Sequence, residues 1–457
     1  MSTPAVVIAA PSSGSGKTTV ATGLMGALRR AGHTVAPFKV GPDYIDPGYH
    51  TLAAERPGRN LDPVLVGEHL VGPLYRHGCA STDIAVVEGV MGLFDGRIGD
   101  DAAGAARGST AHVARLLGAP VILVVDARGQ SQSIAALLHG FSTFDASVRI
   151  VGVILNRVGS ERHEEVLRRA CAEAGATVVG AIPHHLELTV PSRHLGLVTA
   201  AEHGTRAIRA VAAMTDLVAA YVDLAAVVGV AASAVTDTAW DPAAAVRTTA
   251  DGGATVAIAG GKAFTFGYAE HVEMLQAAGA QIVGFDPLSD ELPDGIDALV
   301  LPGGFPEQFT AELAANDYAR QQVRALAAGG APVQAECAGL TYLVSELDGH
   351  PMCGVLAGSA RFTDRLLLGY RDAVAVADSC VRVAGERVVG HEFHRTTVEF
   401  TESYQPAWVY PGHPVATVRD GAVCAGVHAS YLHTHPASSP GAVARFVAHA
   451  AGSRLAG

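Results

Sequence analysis

From Ser2 to about Val198 the chain alternates short apolar runs with amphipathic stretches. Runs near 5–10, 34–38, 84–88, 121–125 and 150–155 have the length and apolar character of buried strands, and the stretches between them read as helices. That rhythm predicts an α/β domain, a doubly wound parallel sheet covered on both faces, with ligands at the carboxyl ends of its strands. Beyond about Ala200 alanine-rich helical sequence continues to about 231, and Ser233 to Gly253, rich in Thr, Asp, Ala and Gly, reads as a linker. A second α/β pattern then begins: Val256–Ala259 and Ala298–Leu301 read as strands, and Tyr268–Ala278 as a helix closed by Gly279. The expected domains are 1–232 and 254–457, joined by 233–253.

Composition narrows the chemistry. A chain of 457 residues with 49% hydrophobic content can build two or three full cores. Its formal net charge of −12, with no Lys/Arg-rich run, argues against a nucleic-acid partner and favours small-molecule substrates. The six cysteines are widely spaced without a C-x-x-C pair, so neither a disulfide framework nor a zinc knuckle is expected, and a reducing cytoplasm fits. The first apolar run lacks the charged flank and cleavage site of a signal peptide. Leu217–Val235 is nearly uncharged but centred on Asp223, whose cost in a bilayer favours a buried or interdomain helix over a membrane span.

Two stretches carry the candidate chemistry. In the first, Ala5–Ala10 leads into Pro11-Ser12-Ser13-Gly14-Ser15-Gly16-Lys17-Thr18-Thr19 and then a helical run to Arg30. This is the layout of a phosphate-binding loop: backbone N–H groups of Ser13, Gly14, Ser15 and Gly16 at a helix N-terminus, Lys17 as a point charge and Thr18 as a Mg²⁺ ligand. Pro11 stands where the pattern G-x-x-x-x-G-K-[ST] has its first glycine. After the second strand, Phe38 to His50 is dense in charge and chain-breakers. Its Gly-Pro-Asp and Asp-Pro-Gly sequences read as turns. Within it Asp43 is a candidate Mg²⁺ ligand, Lys39 a phosphate or acyl-phosphate clamp, and Tyr44, Asp46 and His50 candidates for substrate contact. Glu88 closes the strand Ile84–Val87 where P-loop proteins place a second metal-binding carboxylate, and Asp95 follows in a glycine-punctuated loop. Asn156, at the end of a further strand, is placed to read a purine edge.

The second stretch is Pro332 to Leu340, where a strand runs straight into Cys337 and then into a helix. Such an elbow exposes sulfur at a helix N-terminus and supplies oxyanion donors such as the Ala338 N–H. Gly303-Gly304, after another strand, can provide the other half of the oxyanion hole. His433 or His435, near the C-terminus, can act as base, and strand alternation puts both on one face.

With both constellations present, the chain resembles the cobyrinate/hydrogenobyrinate a,c-diamide synthase family of corrinoid biosynthesis, through APSSGSGKTT, FKVGPDYIDPGYH, VVEGVMGLFDG, LPGGFPE, AECAGL, GHEFHRT and SYLHTHP. The resemblance implies a dethiobiotin-synthetase-like, ATP-dependent amide ligase domain fused to a flavodoxin-like class I glutamine amidotransferase domain. It implies that ATP with Mg²⁺, glutamine and a corrinoid acid are the small molecules bound. It makes Cys337 the glutaminase nucleophile and His433 its base, assigns Lys17, Thr18, Asp43 and Glu88 to nucleotide and metal, and Asn156 to adenine. A homodimer is expected by analogy to related ligases. Two features depart from the wider amidotransferase pattern. The elbow is Ala335-Glu336-Cys337-Ala338-Gly339 instead of G-x-C-x-G, and no Glu follows His433 two residues on, so the third member of the site is unassigned. Sister reactions are those of cobyric acid synthase and nickel-sirohydrochlorin a,c-diamide synthase, and FKVGPDYIDPGYH favours the a,c enzymes over the first. A partitioning-type ATPase with a degenerate amidotransferase domain is expected to lack the nucleophile, whereas Cys337 and His433 are both present. The alanine-rich, arginine-over-lysine composition points to a high-GC bacterium, in which the cobalt-free acid is the first expectation.

Overall fold

The computed structural model describes residues 2–99, 105–184, 192–193, 196–247, 253–412 and 416–456. The chain divides into two units, Met1–Trp240 and Asp241–Gly457.

The first unit is built on seven strands, β1 (Ala5–Ala9), β2 (Val35–Val40), β3 (Arg59–Leu61), β4 (Ile84–Glu88), β5 (Val121–Asp126), β6 (Ile150–Val158) and β7 (Val178–Pro183). Every pairing is parallel, in the order β3-β2-β4-β1-β5-β6-β7. β1 and β4 are buried at every position, because helices cover both faces of a parallel sheet. Register then sets the chemistry along one edge: Glu88 lies beside Ile8 on one side and Lys39 on the other, and Asp126 lies beside Asn156. Polar groups from four strands therefore gather at the carboxyl ends, next to helix α1 (Lys17–Arg30).

Three features differ from the sequence expectation. β3 and β7 complete the sheet at its two edges; one has only three residues and the other contains glycine and ends in proline, so neither gives a clear apolar run. Asp46–Ala54, expected as loop, forms helix α2. Pro47 fits its first turn, where no N–H is needed, and Asp43 Oδ1 accepts the N–H groups of Ile45 (2.8 Å) and Asp46 (3.0 Å). The alanine-rich segment breaks at Val222-Asp223 into Thr205–Tyr221 and Leu224–Val230, with Asp223 capping the second helix through the Ala226 N–H (2.9 Å). Among the described residues no helix is long and apolar enough to cross a membrane.

The segment read as a linker is shared between the units. Ala234 donates to the Leu117 carbonyl and Trp240 to that of Pro73, with the Trp240 ring edge-on to His77. Val235 and Trp240 are buried, so residues up to 240 belong to the first unit despite their linker-like composition. Pro242–Val246 is a short helix of the second.

In the second unit the strands Gln281–Phe285, Thr255–Ala259, Ala298–Leu301, Val333–Glu336 and Val427–Ser430 lie parallel in that spatial order, and Ala422–Cys424 closes the edge antiparallel. Taken in chain order this is 2-1-3-4-5, the doubly wound flavodoxin-like arrangement. A second sheet, which the sequence pattern does not announce, centres on the long antiparallel pair Leu356–Ala375 and Arg387–Phe400.

Candidate active sites

The phosphate-binding loop forms because Gly16 can take φ 94°, in the left-handed region, as the N-cap of α1. A Cβ there would run into the Asn156 amide. Asn156 instead donates through Nδ2 to the Ser15 carbonyl (2.9 Å), so the residue expected to read the base also braces the loop. Ser13 and Gly14 stand exposed at the tip, and Thr18 and Thr19 are half-buried on the first turn of α1. Arg157 donates to the Gly14 carbonyl (2.9 Å) and to Asp126 (2.5 Å). The sequence reading omits both, although Asp126 ends β5 as Glu88 ends β4.

Lys17 Nζ donates to the carbonyls of Met91 (2.5 Å) and Ser12 (3.3 Å). Burial, aided by the neighbouring Lys39 charge, lowers its pKa to about 8. Asp95 Oδ2 accepts the Gly92 N–H (2.9 Å) and so closes its own loop, which the Leu93 N–H ties to Ala10 (2.8 Å) at the start of the phosphate loop.

The carboxylates gather around Lys39. Its ammonium lies 2.6 Å from Asp46 Oδ2, 2.9 Å from Glu88 Oε1 and 3.8 Å from Asp43 Oδ2. Thr18 Oγ1 donates to Glu88 Oε1 (2.6 Å) and lies 3.2 Å from Asp46 Oδ2. Burial opposes the Lys39 charge, but the Asp46, Glu88 and Asp43 carboxylates outweigh it and hold its pKa above the ordinary value. Burial likewise opposes Glu88 ionisation, yet Lys39, His50 and Thr18 keep that carboxylate well below its usual range. Asp46 is pushed up by burial and by Asp43 and Glu88.

His50 sits differently from expectation. It is completely buried on α2, with Nε2 2.7 Å from Glu88 Oε2, and orients that carboxylate. The cause is the helical geometry of 46–54, which turns position 50 inward. Tyr44 is also largely buried.

No set of three or more His, Cys, Asp or Glu side chains that could hold a metal occurs among the described residues. Thr18, Glu88 and Asp46 nevertheless present hard oxygen donors around a point already holding positive charge. That set fits Mg²⁺, which is held by one or two carboxylates together with phosphate oxygens and water. Asp43 commits one oxygen to the α2 amides, while Asp46 Oδ2 lies 3.2 Å from Thr18 Oγ1.

In the second unit the strand Val333–Glu336 runs directly into Cys337, whose φ of 51° and ψ of −98° are strained for a non-glycine residue, and the helix Ala338–Leu343 follows. The strain falls on the cysteine itself. Neither Ala335, which stands at the first usual glycine position, nor Gly339, at the second, takes a positive φ. The Cys337 N–H donates to the Ser430 carbonyl (2.7 Å), and Sγ lies 3.8 Å from the Phe393 carbonyl. Burial pushes the thiol up, with Glu307 adding to it, while the Gly304 and Ala338 N–H groups favour the thiolate. Gly303 accepts from the Phe266 N–H through its carbonyl (3.0 Å), and its Cα faces the His433 ring.

The two C-terminal histidines are separated by their contacts, because the strand ends at Ser430 and alternation no longer applies. His435 Nδ1 accepts the Ala437 N–H (3.2 Å) and its ring lies 4.3 Å from Tyr268. His433 is fully buried, forms a two-way backbone bridge with His391 (2.9 Å each), and has Nδ1 3.5 Å from Glu336 Oε2. The GHEFHRT stretch thus runs past the nucleophile on the long strand Arg387–Phe400.

A phosphate-binding loop with a carboxylate cluster in one unit, and a strained cysteine with a buried histidine in the other, define a nucleotide-binding glutamine amidotransferase. Residues 6–198 match the CobQ/CobB/MinD/ParA nucleotide binding domain, and 255–441 the CobB/CobQ-like glutamine amidotransferase domain. The chain is 73% identical over 451 residues to hydrogenobyrinate a,c-diamide synthase of Mycobacterium tuberculosis, covering 99% of each. It is 55% identical to the enzyme of that name from Streptomyces coelicolor over 97% of each chain. To cobyrinate a,c-diamide synthase of Gloeobacter violaceus it is 41% identical, over 97% of this chain and 96% of the other. The chain belongs to the a,c-diamide synthase family of glutamine-dependent amide ligases.

Proposed function

We propose that the protein converts the a and c acetate carboxylates of hydrogenobyrinic acid to amides, using ATP and glutamine. The observation that carries this reading is the pairing of a nucleotide site and a cysteine elbow in a chain that matches hydrogenobyrinate enzymes over 99% of its length. In the first unit the loop amides of 13–16 cradle the phosphates, and Lys17, freed from its carbonyl partners, neutralises the phosphoryl group passing to a substrate carboxylate. Thr18, Glu88 and Asp46 or Asp43 are the residues that would hold Mg²⁺, which would supply further neutralisation at the phosphate oxygens. Lys39 clamps the acyl phosphate. Asp95 and Tyr44 contact the acid. Carboxylate oxygen attacks the γ-phosphorus and ADP leaves; ammonia then attacks the acyl carbon and phosphate leaves.

In the second unit His433 takes the Cys337 proton as sulfur attacks the glutamine amide carbon. The Gly304 and Ala338 N–H groups, with Gly303 in the same loop, hold the oxyanion. The departing ammonia receives the proton from His433, and water hydrolyses the thioester to glutamate. The thiol, pushed up by burial, needs this base. Steady-state turnover with hydrogenobyrinic and with cobyrinic acid, under ATP and glutamine, tests the substrate. A higher kcat/KM for the cobalt-free acid is expected, and diamide formation from neither acid overturns the reading.

A further inference from the structure

The missing third member of the glutaminase site can be looked for in space instead of in the sequence. The usual position, two residues beyond the base, is filled by His435, whose Nδ1 is committed to the Ala437 N–H. The carboxylate that lies against His433 comes from another element. Glu336 ends the strand that carries Cys337, and its Oε2 is 3.5 Å from His433 Nδ1. Its other oxygen is steadied by Thr434 Oγ1 and Gln334 Nε2, each at 3.4 Å. The Cε1–Nε2 side of the same imidazole faces Gly303, where a Cβ would collide with the ring. Gly303 adjoins Gly304, whose N–H favours the Cys337 thiolate. Nδ1 therefore meets a carboxylate, and the Cε1–Nε2 side meets the loop beside the nucleophile.

The geometry points to Glu336 as the positioning residue of the glutaminase: its carboxylate lies against His433 Nδ1, favours the tautomer with the proton there and the lone pair on Nε2, and so aims the base at Cys337. This rests on the reading of Cys337 and His433 given above. It places nucleophile and orienter at adjacent positions of one strand end, so the strained elbow that presents Sγ also presents the carboxylate to the other side of the histidine. The arrangement performs the task of the Asp or Glu in a Ser–His or Cys–His triad from a different place in the chain. Other titratable or charged groups facing this pair are His391, across the backbone bridge to His433, and His271 and Arg382 beside Glu336. None of them supplies a second carboxylate.

The test is Glu336→Gln and Glu336→Asp in the full-length protein, measuring glutamate release with saturating ATP and acid, alongside ammonia-dependent amidation. Glu336→Gln is expected to lower the glutaminase kcat about 100-fold, the lower end of what a correctly set general base contributes, with KM for glutamine changed less than about threefold. Glu336→Asp, which keeps the charge one methylene short, recovers part of that loss, and ammonia-dependent turnover stays within about twofold for both. A Glu336→Gln kcat within threefold of the native value overturns the assignment. So does a parallel loss of ammonia-dependent turnover, which marks a merely structural residue. Absence of glutamate release from the native protein would instead refute the proposed function itself.

Discussion

Lys39 is the group whose removal the structure makes most consequential. It is 4% exposed, and its ammonium is the positive charge between Asp46 and Glu88. Lys39→Met keeps the length and apolar stem while leaving two buried carboxylates facing each other. Removing one partner of a buried ion pair costs about 3–5 kcal/mol. For a unit of this size each kcal/mol moves the midpoint by roughly 2–4 °C, so the first unit's transition should fall by about 6–20 °C. The loss should depend on pH with a definite sign. Asp46 already has a raised pKa, and without Lys39 it takes a proton more readily still, so the deficit is larger at pH 8 than at pH 5.5. Because Thr18, Glu88 and Asp46 are oxygen donors suited to Mg²⁺, millimolar MgCl₂ should restore more stability to the variant than to the native protein. Differential scanning calorimetry at both pH values, with and without MgCl₂, reads all three effects. A shift below about 3 °C, or one equal at both pH values, refutes the account of this cluster.

Two further outcomes follow from the same electrostatics. With Lys17 at about 8 in the free protein, ATP binding should weaken as pH rises from 7 to 9.5, since above pH 8 the nucleotide must bind with uptake of a proton; calorimetric Kd values flat across that range would contradict it. Asp420 is buried, and burial with the Glu392 charge raises it to about 7. Its folded pKa exceeds the unfolded one, so its contribution to stability is full below about pH 4 and is lost as pH rises through 7, by up to about 4 kcal/mol. Asp420→Asn should accordingly gain thermal stability relative to the native protein between pH 5 and pH 8, and a constant difference in melting temperature would count against this.

What could be read from the sequence was what depends on neighbours in the chain. The phosphate loop is a contiguous strand–loop–helix, and Glu88 ends an unbroken apolar run, so both positions were legible. The Cys337 elbow was legible for the same reason, and the structure puts the strain on Cys337 itself. The segment carrying His50 was expected as loop because Asp-Pro-Gly looks like a turn, whereas Pro47 in a first helical turn, with Asp43 accepting the Ile45 and Asp46 N–H groups, starts a helix and turns residue 50 toward Glu88. The long pair Leu356–Ala375 and Arg387–Phe400 went unseen because it carries irregular burial and a register shift between Phe362 and Leu367, which erase the two-residue period. The approach of Glu336 to His433 joins distant segments, and no spacing rule encodes it.

The central claim is that the chain makes ammonia at Cys337 and uses it at the phosphate loop. Cys337→Ala, assayed for ATP-dependent diamide formation with glutamine and separately with ammonium chloride, tests it most directly. The account predicts no product from glutamine and near-native turnover from ammonia. Loss of both activities, or retention of both, would contradict it.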